Sequence, residues 1–231
     1  MEILTYNDID NLSTEAFDIF KETIEKLSKQ QDQISIALSG GSSVAAIYKQ
    51  IKERGSEISP GQWEKVIFCF ADERIVPLTS DDSNYKFVKE QFLSQLIDDK
   101  LITEEQIAKV NVDEDAPHSS YSKRFEDGID IALLGVGPDS HTCSLFPNHS
   151  STTQQSTGFI LVEDSPKPPA LRISLSNTML ANTPYSFAFF IGDGKKEAYS
   201  NFLNDDLTEQ QVPIKIIKKC HNSVAFTNIT L

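Results

Sequence analysis

Short apolar runs alternate with longer stretches of helical periodicity along the whole chain, and that alternation restricts the fold more than any other feature of the sequence. A strand buried on both faces is apolar at successive positions, whereas an amphipathic helix repeats its apolar residues every three to four positions. Strand-type runs are Glu2 to Thr5, Ile34 to Leu38, Val66 to Ala71, Asp130 to Leu134, Phe159 to Val162, Leu171 to Leu175, Phe187 to Ile191 and Val224 to Thr227. Between them Ala16, Phe17, Phe20, Ile24 and Leu27 repeat at helical spacing, as do Tyr85, Val88, Phe92 and Leu96. This succession predicts an α/β fold with a mostly parallel sheet flanked by helices. The polar stretches 111–127 and 150–158 read as surface loops, and no internal repeat interrupts the pattern, so residues 1–231 are expected to form a single domain.

A chain of 231 residues can bury a full core without disulfides or a structural metal. Cys69, Cys143 and Cys220 are widely spaced and form no C-x-x-C pair, which points to a reducing compartment. Met1 is followed by an acidic residue and an amphipathic segment, and no apolar run is long enough for a membrane span, so the cytoplasm is the expected location. The net charge of −13 repels polyanions, which argues against nucleic acid as a partner. A small anionic ligand would have to be held by a few local cations and backbone N–H groups.

Four segments offer such groups. In Ile34 to Ile51 a strand runs into Ser39-Gly40-Gly41-Ser42 and then a helical pattern. Glycines let backbone approach a ligand, and the N–H groups of a helix's first turn carry positive partial charge. The segment has the form of a phosphate cradle, yet it lacks the lysine of a Walker loop and the third glycine of a dinucleotide fingerprint. A tight turn capped by Ser42 or Ser43 fits it as well. In Val66 to Pro77 a strand releases Asp72, Glu73 and Arg74 at its carboxyl end; the Arg74 fork matches a phosphate or carboxylate bidentately, with Asp72 and Glu73 placed to orient it. Arg172, inside the otherwise apolar strand after Ser165-Pro166-Lys167-Pro168-Pro169, needs an anionic partner, whereas Lys167 reads as an ordinary loop residue. Lys195 follows the glycine turn Gly192-Asp193-Gly194 and is either a phosphate-reaching cation or a surface lysine.

The fourth segment, Asp130 to Pro147, carries a strand into Gly135-Val136-Gly137 and then delivers Asp139 and His141 onto a loop. Crevices beyond the carboxyl ends of strands are where open α/β sheets bind ligands. An imidazole titrates near neutrality and can take a proton from water and return it to a leaving group, and Asp139 is placed to fix its tautomer or to contact substrate. Thr142 to Phe146 read as a helical start ending at Pro147. Cys143 is poorly arranged as a nucleophile, no G-x-S-x-G elbow is present, and His118, His149 and His221 lack clustered partners, so no metal site is expected.

Together and in this order, ALSGGSS, FADERIVP with DSNY, LLGVGPDSHTCSLFP, SPKPPALRISL and GDGK resemble the 6-phosphogluconolactonase family over nearly the whole chain. The resemblance implies hydrolysis of 6-phospho-D-glucono-1,5-lactone to 6-phosphogluconate, a carboxylic ester hydrolysis of the oxidative pentose phosphate pathway, with neither metal nor organic cofactor. It implies His141 as the base that activates water and then the acid for the departing ring oxygen, with Asp139 as its positioner. Ser39, Gly40, Gly41, Ser42, Asp72, Glu73, Arg74, Arg172 and Lys195 would form the substrate-binding surface. The sequence departs from the family pattern at Ser140, where glycine is usual between the Asp and the His, and at Asn228, where an Asp is common. Ser140 leaves open a catalytically weak paralogue that binds or regulates. An amino-sugar-phosphate deaminase shares the fold, but the segments ADERIVP and SLFP point to the lactonase. The sequence carries no signal of oligomeric state, and a monomer is a plausible expectation.

Overall fold

The computed structural model describes residues 1–231. Its strands are β1 (Glu2–Thr5), β2 (Ile34–Leu38), β3 (Val66–Phe70), β4 (Asp72–Arg74), β5 (Ile131–Gly135), β6 (Phe159–Val162), β7 (Arg172–Leu175), β8 (Tyr185–Phe190) and β9 (Asn222–Thr227). The helices are α1 (Ile9–Ser28), α2 (Ala45–Arg54), α3 (Pro60–Trp63), α4 (Asn84–Val88), α5 (Ser94–Asp98), α6 (Pro117–Arg124), α7 (Asn177–Ala181) and α8 (Lys196–Leu203). A π turn over Lys89–Leu93 joins α4 to α5. No helix is long and apolar enough to cross a membrane.

Six strands form a wholly parallel sheet in the order β1-β9-β8-β5-β2-β3. Successive side chains of a strand alternate between faces, and both faces here are covered, which is why the runs are continuously apolar. Ile36, Leu38, Phe68, Phe70, Leu133, Phe187, Phe189 and Phe226 lie in one buried cluster with residues of α1 and α2. The intervening Ala37, Cys69, Ala132, Leu134, Ala188 and Ala225 lie in the other, with residues of α6, α7 and α8. Predominantly large side chains on one face and several alanines on the other leave room on the second face for another layer of strands.

That layer is a three-stranded antiparallel sheet, β4-β7-β6, so the strand-type runs divide between two sheets. Ala71 is the reason. Its N–H donates to Leu38 O of the parallel sheet (2.9 Å), while its carbonyl accepts from Leu175 N of the small sheet (2.8 Å). The strand expected over Val66 to Ala71 therefore passes from one sheet into the other as β4.

From β2 the chain proceeds to β3 on one side, and from β5 to β8 on the other. The boundary between β2 and β5 is thus a topological switch point, where the two following loops diverge and a crevice opens beyond the strand ends. The loops after β2, β3, β5 and β8 all meet there.

Candidate active site

The loop after β5 is a tight structure closed by its own backbone. Gly137 N donates to His141 O (2.8 Å) and Ser140 N to Gly137 O (3.0 Å), while Thr142 Oγ1 donates to Gly135 O (3.0 Å). Gly137 is required for space: a Cβ there would lie 1.9 Å from His141 Nδ1. The helical start expected at Thr142 to Phe146 does not form. Cys143 is held in the left-handed region (φ 52°), Leu145 N closes a turn on Thr142 O (3.0 Å), and Ser144 is drawn away from helical geometry by bonds to Ser174 Oγ and Asp72. Ser140 is also left-handed (φ 71°), is fully buried, and has no partner for its hydroxyl.

His141 is one-fifth exposed and faces the crevice, its ring 5.0 Å from that of Phe146. Nδ1 lies 2.5 Å from Asp139 Oδ1. A carboxylate oxygen only accepts, so the pairing assigns Nδ1–H as the donor, and in the neutral form of the ring the lone pair is then on Nε2. Lys167 completes the group: its Nζ lies 2.9 Å from Asp139 Oδ2 and 3.1 Å from His141 Nδ1. Burial alone would raise the Asp139 carboxyl, but the His141 hydrogen bond and the Lys167 charge outweigh it and hold it well below the usual carboxylate range.

Opposite the histidine lies the turn after β2. Gly41 has φ 95°, open to glycine alone without strain, and a Cβ on Gly40 would collide with Asn84 Oδ1 at 2.0 Å. The N–H groups of Gly41 and Ser42 have no acceptor within the protein. Ser42 and Ser43 do not cap the helix; Ser43 Oγ instead donates to Val136 O (3.2 Å), tying this turn to the histidine loop. Ser39 Oγ is buried at the cleft wall without a partner.

Arg74 reaches the same cleft, with one N–H group used on Asp82 O (2.7 Å). Asp72 and Glu73 do not orient its fork, contrary to expectation. Asp72 accepts from Ser144 Oγ (2.7 Å) and Asn84 Nδ2 (3.2 Å), so it joins three loops at the cleft floor. Glu73 turns away from the cleft altogether. It is fully buried and accepts from the N–H groups of Arg74, Asn84 and Tyr85 (2.7 Å each), anchoring the start of α4. Burial raises its carboxyl above the usual range despite those donors.

Arg172, 3% exposed, gives Nε to Pro169 O (2.9 Å) and Nη2 to the carbonyls of Lys167 (2.9 Å) and Pro168 (3.0 Å), leaving Nη1 3.8 Å from Asp72 Oδ2 at the cleft. Lys195 lines the cleft from the turn before α8; burial, and then the charge of Lys167, lower its pKa. That turn is held by Asn228, whose Oδ1 accepts from Gly192 N (2.9 Å). The amide oxygen accepts this bond as a carboxylate oxygen would.

The cleft holds about 200 Å³, and most of the residues that line it are polar, charged or glycine. Ser39, Gly40, Gly41, Ser42, Asp72, Arg74, His141, Arg172 and Lys195 all line it, with Asp139 behind the histidine and Glu73 outside. The sequence favoured an ordinary loop residue at Lys167 over one presented at a cleft, and a capping role at Asn84 over a hydroxyl-reading amide. Asn84 hydrogen-bonds Asp72 O and lines the cleft, and its position beside the helix cap Ser83 disguised it. Burial pushes the Cys143 thiol well up, which suits packing and not nucleophilic attack. An imidazole, three cations and free backbone donors together make a site suited to water-mediated chemistry on a small anion.

Known proteins resemble this chain over most of its length. The profile of the family described as glucosamine-6-phosphate isomerases/6-phosphogluconolactonase matches residues 7–226. The chain is 33% identical over 216 residues to 6-phosphogluconolactonase 3 of Saccharomyces cerevisiae, covering 87% of this chain and 83% of the yeast protein. It is 31% identical over 199 residues to the probable 6-phosphogluconolactonase of Drosophila melanogaster, covering 84% and 78%. Among solved structures, 6-phosphogluconolactonase from Thermotoga maritima shares the fold with a TM-score of 0.82 at 23% identity, over 98% of each chain.

Proposed function

Because the chain belongs to the glucosamine-6-phosphate isomerase/6-phosphogluconolactonase family, we propose that it hydrolyses 6-phospho-D-glucono-1,5-lactone to 6-phosphogluconate, with His141 as general base. The observation that carries this reading is the Asp139–His141 pair, joined at 2.5 Å in a cleft lined by Arg74, Arg172 and Lys195. With Nδ1–H fixed on Asp139, Nε2 takes a proton from water as the water oxygen attacks the lactone carbonyl carbon. The tetrahedral oxyanion collapses, the bond from that carbon to the ring oxygen breaks, and the imidazolium returns its proton to the departing oxygen. Lactone and water are consumed, the open-chain acid is formed, and the imidazole ends neutral as it began.

The substrate is an anion in a protein of net charge −13, so local groups must hold it. Arg74, Arg172 and Lys195, with the free N–H groups of Gly41 and Ser42, supply a positive field for the phosphate and for the developing oxyanion. Neither a covalent nucleophile nor a cofactor enters this scheme. Ser140, the residue that favours an inactive paralogue, does not open the Asp139–His141 pair, which supports the catalytic reading. The three buried free thiols suit a reducing setting such as the cytoplasm.

The test is to add freshly prepared 6-phosphogluconolactone and follow 6-phosphogluconate with a coupled dehydrogenase, correcting for spontaneous hydrolysis. Acceleration by the folded protein, with no ammonia released from glucosamine 6-phosphate, is the expected result. A rate no faster than the spontaneous one would refute the assignment, and ammonia release would favour the deaminase.

A further inference from the structure

We propose that Lys167 is a positioning residue of this site: its ammonium anchors the Asp139 oxygen that His141 leaves free and, as a fixed cation beside Nδ1, opposes the arrival of a second proton on the ring. The inference rests on the lactonase reading for its kinetic part only.

The backbone of Lys167 is fixed from several directions. The buried Arg172 guanidinium donates to its carbonyl (2.9 Å), and Ser165 Oγ donates to the same carbonyl (2.8 Å). Ser165 Oγ also accepts from Lys167 N (3.2 Å), and Ser165 N closes the loop on Ala170 O (3.1 Å). The lysine is therefore presented to the cleft by a rigid loop. A long side chain on a flexible loop loses much of any ion pair's worth to entropy, and here the loop is already ordered.

At the other end, each carboxylate oxygen of Asp139 has its own partner: Oδ1 takes the imidazole proton and Oδ2 takes the ammonium (2.9 Å). Two bonds on two oxygens set the rotation of the carboxylate, and hence the plane and tautomer of the ring. The 3.1 Å approach to Nδ1 adds an electrostatic effect. Asp139 alone would draw a second proton onto the imidazole, and Lys167 opposes it. The other charges around the ring are Lys195 before α8, Arg172 on β7, and Asp72 and Arg74 on β4. Among the cations, Lys167 is the one within hydrogen-bond distance of the ring.

Removing the lysine leaves Asp139 unopposed, so the imidazole gains a proton at higher pH than before. A unit charge about 3 Å away shifts such an equilibrium by on the order of one pH unit even with the screening of bulk water. The experiment compares wild type, Lys167→Met and Lys167→Arg. His141 is titrated by NMR in the unliganded protein, and kcat/KM for 6-phosphogluconolactone is measured against pH. Circular dichroism checks folding; the side chain is 38% exposed, so truncation leaves no buried void. In Lys167→Met both the His141 midpoint and the acidic limb of the rate profile should move up by about one unit, with Lys167→Arg restoring them. An unmoved His141 midpoint in Lys167→Met overturns the proposal, as does a raised KM with an unchanged pH profile, which makes Lys167 a substrate contact only. A shifted midpoint in a protein with no lactonase activity supports the role of Lys167 and refutes the substrate assignment.

Discussion

Replacing Ser140 by glycine should stabilise the protein while leaving its activity unchanged. Ser140 has φ 71°, is fully buried, and holds an unpartnered hydroxyl. The left-handed conformation costs a residue with a Cβ about 1–2 kcal/mol, and a buried unsatisfied hydroxyl costs about 1–3 kcal/mol. Glycine removes both, against about 0.5–1 kcal/mol of extra chain entropy in the unfolded state. The net gain is roughly 1–4.5 kcal/mol, which for a chain of this size raises Tm by roughly 2–18 °C. The backbone at this position is pinned by Ser140 N on Gly137 O and by Ile214 N on Ser140 O, so the loop and His141 stay in place. Differential scanning calorimetry on wild type, Ser140→Gly and Ser140→Ala separates the contributions. Alanine relieves only the hydroxyl, so the expected order of stability is glycine, then alanine, then serine. Alanine matching or exceeding glycine would show that the backbone stores no strain there, and a glycine variant less stable than wild type would refute the reasoning altogether.

Gly137→Ala places a Cβ where His141 Nδ1 now sits and should lower kcat/KM by about 10²-fold or more in a folded protein; full activity would show that the ring needs no such approach. Ser144→Ala leaves the buried Asp72 Oδ2 without its hydroxyl donor and should cost about 1–3 kcal/mol in urea unfolding, with an unaltered midpoint counting against Asp72 as the junction of the loops. Asp139 is held below its ordinary range, so its contribution to stability is complete above about pH 4, the unfolded value, and is lost as pH falls below it. The difference in urea midpoint between wild type and Asp139→Asn should therefore shrink from pH 7 to pH 3, and a constant difference would contradict the pairing with His141 and Lys167.

Strands were legible wherever local pattern decides, since β2 and β6 match their apolar runs and β8 and β9 begin two residues earlier than the runs suggested. The division into two sheets was not, because Ala71 shares its bonds between strands that lie far apart in sequence. The cleft residues were largely visible because glycine turns and charged residues directly follow buried strands. Glu73 was misread since a charge after a strand looks the same whether it faces a ligand or anchors the next helix. At Lys167 the loop reading was favoured because its partners His141 and Asp139 lie 26 and 28 residues away and only the fold brings them together. Residue 143 lost its helical expectation to tertiary bonds at Ser144 that no local pattern records.

The most direct measurement is the rate of 6-phosphogluconolactone hydrolysis by wild type and by His141→Ala at equal concentration, each shown to be folded and corrected for spontaneous hydrolysis. The expected result is clear acceleration by wild type and, for the variant, a loss of about 10²-fold or more. A folded His141→Ala variant that retains the wild-type rate would contradict the account.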